Sequence, residues 1–338
     1  MEEYVCNSKK INNINQKKYK KRKIKNNIIK FIGICIILVI IITISILYIG
    51  KKNKEYLYTL TYEYKLINHG YDIEKTKLLQ EKLLDNQLNK LLSRPVIQAI
   101  DKMINDKYFI FSKIDRYESN YNYLDINFNV SNMIREVNVN KDLSPNVNEN
   151  KADITKGYDM LVNGYYKLEK DYIPKNLVEI SNMYCFTKMY AEKEAYEAYK
   201  KMYKDALDDG IRFLITSAYR SYDYQEKVFN DHTKRKGLDY AKKFAAVPGY
   251  SEHQTGLALD IFTYGSTMAT FETTKGYKWL KENSYKYGFI LRFSKELENL
   301  LGTTFEAWHY RYVGIDAATK IYNENITFEE YYSYYIEK

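Results

Sequence analysis

Cysteine, proline and histidine are all scarce in this chain of 338 residues, which has three, four and four of them. Cys6 lies in a basic segment and Cys35 in a long apolar run, so Cys185 stands alone in the rest of the sequence. An internal disulfide is therefore excluded there, and that part must be stabilised by a hydrophobic core. Cys185 stands between two aromatic residues and is interpreted as a small buried apolar side chain rather than a nucleophile.

The net charge of the chain after residue 30 is also small. Residues 1–30 hold ten Lys or Arg and two Glu, which gives +8 of the chain's total charge of +9. The remainder creates no large positive field, so no nucleic acid partner is expected. A disordered chain is excluded as well, because 45% of the residues are hydrophobic.

A long uncharged run follows this basic tail directly. Phe31–Ile49, FIGICIILVIIITISILYI, contains nineteen residues without a charge, and a helix of that length spans about 28 Å, close to the hydrocarbon thickness of a bilayer. Because basic residues crowd its amino side, the positive-inside rule predicts that residues 1–30 are cytoplasmic and that residues 50–338 are extracellular. No small-residue cleavage site follows, which favours an uncleaved signal anchor, a single transmembrane helix in the cell membrane, over a cleaved signal peptide. A buried helix of a soluble domain is the less favoured alternative.

Residues 50–150 contain apolar positions at helical spacing, as in Leu78–Leu92, LLQEKLLDNQLNKLL. This pattern predicts two or three amphipathic helices that form a stalk or a small helical domain next to the membrane. A coiled coil that binds a partner is the alternative, but the pattern does not persist over enough heptads to favour it. No protein partner is inferred. A polar, turn-rich stretch near residue 150 predicts the boundary with the next domain.

Residues 151–338 combine helical and strand patterns. Small apolar residues repeat over Tyr190–Leu207, which predicts a helix that ends at Gly210. Three short apolar runs predict buried strands: Ile211–Ser217, Leu257–Phe262 and Trp308–Val313. This alternation predicts an α+β domain.

A histidine and an aspartate in the segment GYSEHQTGLALDIF, Gly249–Phe262, raise the question of a metal site. On one helix His253 and Asp260 would be about 10 Å apart along the axis, too far to share an ion whose ligand distances are about 2 Å. A turn at residues 254–256 removes this difficulty, because Gly256 tolerates backbone angles that other residues avoid. Asp260 could then return beside the imidazole. A buried aspartate needs a partner, which from this segment alone could be a metal, an arginine or a backbone turn.

A second histidine close to a carboxylate occurs in FEAWHYRYVG, Phe305–Gly314. His309 would join His253 and Asp260 as three ligands of a tetrahedral zinc ion and leave the fourth position open, as in catalytic zinc sites. Glu306 would then serve as a general base for water. Without a metal, Glu306 and His309 would be a surface pair beside an aromatic core.

Arg220 lies in SAYRSYDYQ, directly after the predicted strand Ile211–Ser217. Pockets often form at strand ends, and a guanidinium there can hold a carboxylate through two hydrogen bonds or stabilise an oxyanion. A surface ion pair with Asp223 is the alternative from this segment alone.

Four segments resemble, in this order, the VanY-like family of D-alanyl-D-alanine carboxypeptidases, the zinc peptidases that trim peptidoglycan stem peptides: SAYRSYDYQ, VPGYSEHQTGLALDI, WLKENSYKYGFILRF and FEAWHYRYVG. The resemblance extends from about residue 155 to about residue 335. The pattern S-x-H-x-x-G-x-A-x-D followed by E-x-W-H makes it specific. It implies the α+β fold of zinc DD-peptidases of the hedgehog and VanX-like type, a small antiparallel sheet flanked by helices.

The resemblance also implies roles for individual residues. One zinc ion would be held by His253, Asp260 and His309, and Glu306 would be the catalytic base. Arg220 would bind the substrate and stabilise the transition state.

Two further polar residues, Gln225 and Ser251, match positions that contact the terminal carboxylate of the peptide. The sequence departs from the family pattern at Ala307, where a proline is frequent. Because proline would fix the turn that aims Glu306, its loss gives this side chain more freedom.

The expected protein is a membrane-anchored zinc carboxypeptidase that removes the C-terminal D-alanine from peptidoglycan stem peptides. Two alternatives remain at this point: an L,D-carboxypeptidase acting on tetrapeptide stems, and a catalytically silent module that binds the cell wall.

Overall fold

The structure is a computed structural model that describes residues 2–147 and 150–337, with the backbone alone for residues 2–16 and 19. The side chain of Cys6 and part of the predicted basic tail therefore lie outside the described residues.

The chain forms two compact units, Met1–Gln98 and Ala99–Lys338. Residues 99–147 are thus grouped with the residues that follow them. The predicted boundary near residue 150 falls beside residues 148 and 149, which lie outside the described part. The limits proposed for the stalk and for the carboxypeptidase domain stay a prediction.

The first unit consists of one long helix, α1 (Glu2–Thr59), followed by α2 (Tyr62–His69), α3 (Ile73–Lys82) and α4 (Asp85–Leu92). The amphipathic helices expected after the apolar run are therefore present. Within the described residues, α1 is the one helix long and apolar enough to cross a membrane, by length and composition, and it contains the predicted span.

Local sequence explains where α2 and α3 begin. The side chains of Thr61 and Asp72 accept hydrogen bonds from backbone N–H groups in the first turns of these helices, which satisfies amides that have no partner inside the helix. The interior of this unit is built from leucines of all three short helices: Leu66, Leu79, Leu88 and Leu91.

The second unit contains two antiparallel sheets, as an α+β fold requires. The larger sheet has the spatial order β3-β4-β6-β5, and the smaller one pairs β1 with β2. Among the described residues the strands are β1 (Leu177–Glu179), β2 (Tyr190–Glu192), β3 (Phe213–Ser217), β4 (Ala258–Thr263), β5 (Phe289–Phe293) and β6 (Glu306–Tyr312). The strands β3, β4 and β6 confirm the three predicted ones, whereas β1, β2 and β5 were not predicted. Strand β2 occupies the first three residues of the segment Tyr190–Leu207, which was predicted to be helical throughout.

The helices of this unit are α5 (Ile100–Ile104), α6 (Ile114–Asn120), α7 (Val130–Asn138), α8 (Lys193–Asp208), α9 (Tyr222–Lys236), α10 (Leu238–Phe244), α11 (Lys275–Asn283), α12 (Glu298–Leu301), α13 (Ile315–Glu324) and α14 (Phe328–Tyr331). Helix α8 is the one predicted from the alanine repeat. It is capped at its start by Glu192, whose carboxylate accepts a hydrogen bond from the N–H of Glu194 at 2.8 Å, and the chain leaves it through Gly210 at a φ of 73°.

The main core lies between α8 and the larger sheet. Its members include Tyr199 and Met202 of α8 and Ile215, Leu259 and Ile261 of the strands. Such side chains each contribute about 1.5–3 kcal/mol when fully buried. Cys185 belongs to the same core, which confirms it as a small buried side chain.

Candidate metal centre and active site

The strand register brings two of the predicted ligands side by side. Strand β4 lies between β3 and β6, and Asp260 is directly opposite Ser217 on one side and His309 on the other. Residues opposite each other in neighbouring strands point to the same face of the sheet. Asp260 and His309 therefore meet on one face, and Asp260 Oδ1 lies 3.2 Å from His309 Nδ1.

His253 reaches this face from a single 3₁₀ turn, Glu252–Thr255, that directly precedes β4. The turn ends at Gly256 in the left-handed conformation, with a φ of 69°. A Cβ at this position would lie 2.9 Å from Leu177 Cδ2, so both the angle and the space require glycine. The predicted chain reversal at Gly256 is confirmed.

The imidazole of His253 is oriented by a backbone carbonyl. Its Nδ1 lies 2.7 Å from the carbonyl oxygen of Ala218, which makes Nδ1 the protonated nitrogen, because a carbonyl can only accept. Nε2 is then a free lone pair, 3.4 Å from Asp260 Oδ1. This arrangement is typical of metal-binding histidines.

The three side chains fit a metal ion. One ligand atom from each of His253, Asp260 and His309 lies within 4.8 Å of the others, and all three residues are buried. Among the described residues, no group donates a hydrogen bond to Asp260 Oδ1, although the atom is buried. Two imidazole nitrogens and one carboxylate oxygen match zinc, which takes such ligands in tetrahedral sites.

The charges at the centre are strongly coupled. Burial, together with the nearby charge of Arg220, lowers the pKa of His253 to about 4. Burial would lower the pKa of His309 too, but Asp260 and Glu252, each within 3.2 Å of a ring nitrogen, raise it to about 9. Burial would raise the pKa of Asp260, but the two imidazoles hold it well below its usual range. Asp260 is therefore ionised and His253 neutral near pH 7.

Glu306 lies at the first position of β6, next to the three ligands. Its Oε2 is 3.7 Å from His309 Nδ1, and 29% of its side chain is exposed. Burial raises the pKa of Glu306 to about 6, against the opposing charge of His309. A carboxylate that is both reachable by water and weakly acidic is suited to accept and return a proton near neutral pH.

Arg220 reaches the centre from the end of β3. Its Nε donates to Ser217 Oγ at 3.0 Å and one terminal nitrogen donates to Gln225 Oε1 at 2.9 Å. The other terminal nitrogen lies 3.5 Å from Asp260 Oδ2. The side chain keeps 19% exposure, so the guanidinium is fixed but accessible. The alternative pairing with Asp223 does not form, because Asp223 pairs with Lys170.

Gln225 and Ser251 occupy different positions around this arginine. Gln225 is buried, and its amide donates to the carbonyl oxygen of Ala246 at 2.8 Å while its oxygen accepts from Arg220. It thus lies behind Arg220 and holds it. Ser251 is also buried but lines the cleft. Direct contact of either residue with a substrate stays a prediction.

The centre opens into a cleft of about 920 Å³. Its inner end is lined by Arg220, Ser251, His253, Glu306 and His309. The outer part is formed by a segment that precedes the smaller sheet, by α10 and by the loop that contains α12. A cleft of this size accommodates an extended peptide of a few residues.

Sequence reasoning missed a buried ionic network behind His309. Glu252, next to His253 in the chain, lies 3.2 Å from His309 Nε2 and accepts a hydrogen bond from Arg292 Nε at 2.8 Å. Arg292 in turn pairs with Glu329, and Arg311 approaches Glu252 at 3.5 Å. A signal was available, because Arg292 interrupts the apolar run GFILRF and a buried arginine requires a carboxylate.

The sequence profile of the VanY family, described as D-alanyl-D-alanine carboxypeptidase, matches residues 188–315. The Bacillus subtilis protein YodJ is 41% identical over 179 residues, which are 51% of this chain and 66% of the relative. A D-alanyl-D-alanine carboxypeptidase of Enterococcus faecium is 32% identical over 197 residues, 56% of this chain and 61% of the relative. The chain belongs to the VanY-like family.

Among solved structures, VanYB in complex with D-alanine-D-alanine is 33% identical, with a TM-score of 0.46, and the match covers 54% of this chain and 99% of that one. The chain spans slightly less than two thirds of the length of the two curated relatives above. The VanY-like part contains the three candidate metal ligands, Glu306 and Arg220, whereas α1 to α7, α14 and Glu329 lie outside residues 188–315.

Proposed function

We propose that this protein is a membrane-anchored, zinc-dependent D,D-carboxypeptidase that removes the C-terminal D-alanine from peptidoglycan stem peptides. The observation that carries the proposal is the convergence of His253, Asp260 and His309 on one face of the sheet, with Glu306 beside them, at the inner end of a peptide-sized cleft. The Enterococcus faecium relative named a D-alanyl-D-alanine carboxypeptidase supports the D,D specificity. The LdcB LD-carboxypeptidase, which is 40% identical, supports the L,D alternative, and the experiment below distinguishes the two.

Arg220 would bind the terminal carboxylate of the substrate. Ser217 and Gln225 occupy Nε and one terminal nitrogen, so the guanidinium cannot rotate freely and its exposed edge faces the cleft. A fixed guanidinium loses little conformational entropy on binding and can donate two parallel hydrogen bonds to a carboxylate. The scissile bond lies one residue inward from that carboxylate, which would bring its carbonyl to the metal ligands.

Glu306 would accept a proton from the attacking water and deliver it to the leaving amine. Its Oε2 lies 3.7 Å from His309 Nδ1 and its side chain is partly exposed, so the carboxylate is within reach of a water molecule at the candidate ligands and can act as a general base. One zinc ion, when bound by His253, Asp260 and His309, supplies the Lewis acid that polarises the scissile carbonyl and acidifies the water. The carbonyl of Ala218 and the carboxylate of Glu252 would keep the two imidazoles oriented toward it.

Attachment to the membrane would be provided by the apolar part of α1. The basic residues on its amino side favour an orientation with residues 1–30 in the cytoplasm and the catalytic unit on the outer side, where peptidoglycan is found.

The proposal is tested with the full chain in detergent micelles. Purified protein is incubated with a pentapeptide stem ending in D-alanyl-D-alanine and, separately, with a tetrapeptide stem, and the products are weighed by mass spectrometry. Loss of one D-alanine from the pentapeptide supports the D,D assignment, and loss from the tetrapeptide alone identifies the L,D alternative. No release from either peptide by zinc-loaded protein that still binds stem peptides would favour the silent wall-binding module.

A further inference from the structure

Glu252 is the group on the far side of His309 from the other ligands. The Nδ1 of His309 faces Asp260, whereas its Nε2 lies 3.2 Å from Glu252 Oε2. The side chain of Glu252 is 3% exposed, so water does not compete for this contact. The contact with Glu252 therefore restrains the ring of His309 and the direction in which its Nδ1 points.

Glu252 is itself held by an arginine that has two carboxylate partners. Arg292 Nε donates to Glu252 Oε1 at 2.8 Å, while its two terminal nitrogens donate to both oxygens of Glu329, at 3.0 and 2.5 Å. A guanidinium is planar and rigid, so the position of one carboxylate fixes that of the other. The Arg292 side chain is fully buried and Glu329 is 6% exposed.

The surroundings leave Arg292 little freedom while Glu329 is in place. Its guanidinium lies 4.8 Å from the ring centroid of Phe293 and 5.5 Å from that of Phe328. Glu329 is further held by Asn163, whose Nδ2 donates to Oε1 at 2.9 Å. If the charge of Glu329 were removed, the terminal nitrogens of a buried Arg292 would lose their partner. Arg292 would regain a carboxylate partner for these nitrogens by rotating them toward Glu252, because a buried charge is costly unless it is paired.

We propose that Glu329 is a positioning residue for the metal centre, acting through Arg292 and Glu252 on the ring of His309. Glu329 lies in α14, outside the residues 188–315 that match the family profile. The inference rests on the proposed zinc site, and it assigns to the C-terminal helix a part in the affinity of that site.

The neighbouring residue, Glu330, provides a matched control. It is equally buried, with no exposed side chain, and it also pairs with an arginine, Arg135, at 2.6 Å. It caps α14 as well, because it accepts a hydrogen bond from the N–H of Thr327. Its partners do not touch Glu252 or His309. Loss of its charge should therefore cost stability without altering the metal centre.

The experiment compares zinc affinity and thermal stability in the full chain. Apparent zinc dissociation constants are measured by competition with a chromogenic chelator, and thermal unfolding of the metal-free protein is followed by circular dichroism. Both assays are applied to the wild type, Glu252→Gln, Glu329→Gln, Glu330→Gln and the double variant Glu252→Gln/Glu329→Gln. We expect Glu252→Gln to weaken zinc binding about 10–100-fold, as loss of a partner of a metal-bound histidine usually does. Glu329→Gln should weaken it about tenfold, and Glu330→Gln should leave it within twofold.

The double variant separates positioning from general destabilisation. If Glu329 acts through Glu252, the zinc dissociation constant of the double variant equals the larger of the two single-variant values. The Glu329 substitution then has no further effect, because the carboxylate through which it acts has already been removed. A double variant whose loss equals the product of the two single losses would overturn the proposal, as would wild-type zinc affinity in Glu329→Gln. Should Glu329→Gln fail to fold, Glu329→Asp keeps the charge but shortens the side chain, and an unchanged zinc affinity there would refute the inference as well. Absence of zinc binding by the wild type would instead refute the proposed function.

Discussion

Replacing Gly256 with alanine is expected to destabilise the second unit by about 2–4 kcal/mol and to weaken metal binding. The left-handed backbone costs an alanine about 1–2 kcal/mol, of which the reduced freedom of the unfolded chain offsets about 0.4–1 kcal/mol. The new Cβ would lie 2.9 Å from Leu177 Cδ2 and 3.1 Å from the backbone nitrogen of Glu192. That nitrogen donates a hydrogen bond to the carbonyl of Gly256 at 2.9 Å, so β2 must move, at a cost of about 1–3 kcal/mol.

Gly210→Ala is the control for the backbone contribution. Gly210 has a similar φ, 73°, but a Cβ there meets nothing within 4 Å, so we expect a loss of about 1 kcal/mol. Thermal unfolding of the zinc-free protein should show a decrease in Tm of roughly 5–15 °C for Gly256→Ala and of a few degrees for Gly210→Ala, given the size of the unit.

Zinc affinity completes this test. His253 lies three residues before Gly256 in the same 3₁₀ turn, so displacement of the turn should weaken zinc binding at least tenfold, whereas Gly210→Ala should bind zinc as the wild type does. Equal Tm values for the two variants would refute the steric argument. Wild-type zinc affinity in Gly256→Ala would show that the turn does not determine the position of His253.

Three further predictions concern the chemistry. Glu306→Gln should lower kcat for D-alanine release by a factor of about 10²–10⁴, as loss of a general base does, with unchanged zinc content by elemental analysis; a loss of zinc would mean that Glu306 is a ligand instead. Arg220→Lys should lower kcat/KM about 10–100-fold in steady-state kinetics, because charge-assisted hydrogen bonds contribute about 1.5–3 kcal/mol. An unchanged kcat/KM would show that Arg220 does not bind the substrate. Removal of zinc with a chelator should abolish D-alanine release and lower Tm by mass action; both should return on addition of zinc, and full activity in the chelator would contradict the zinc mechanism.

The proximity of the candidate metal ligands could be predicted from sequence in part, because local geometry determines much of their arrangement. The Gly256 turn joins His253 to the strand that holds Asp260, so eight residues of sequence contain two of the candidate ligands and the reversal between them. His309 could be proposed as a third ligand from its place close to a carboxylate among aromatic residues, and the resemblance to a family supported it. Its position opposite Asp260 could not be derived, because that is a matter of register between strands. Such pairing depends on the whole sheet and not on any local pattern.

The sequence signals that Arg292 is buried, but the pairings within the network behind His309 were beyond prediction for a different reason. Glu252 and Arg292 are separated by 40 positions, and Arg292 and Glu329 by 37. Nothing in the sequence states which of many acidic residues a buried arginine will meet. Strand β5, which carries Arg292, was likewise missed, because its five residues form an edge of the sheet, and a short apolar run alone does not distinguish a strand from a helix.

The pairing of Arg292 with Glu329 ties the metal centre to a segment that holds none of its candidate ligands. His253, Asp260 and His309 all precede α14 in the chain, as do Glu306 and Arg220. If Glu329 has the proposed role, a chain truncated before α14 would keep every one of these residues but leave the terminal nitrogens of the buried Arg292 without Glu329. Such a truncated chain would contain the complete set of catalytic residues and still bind zinc more weakly.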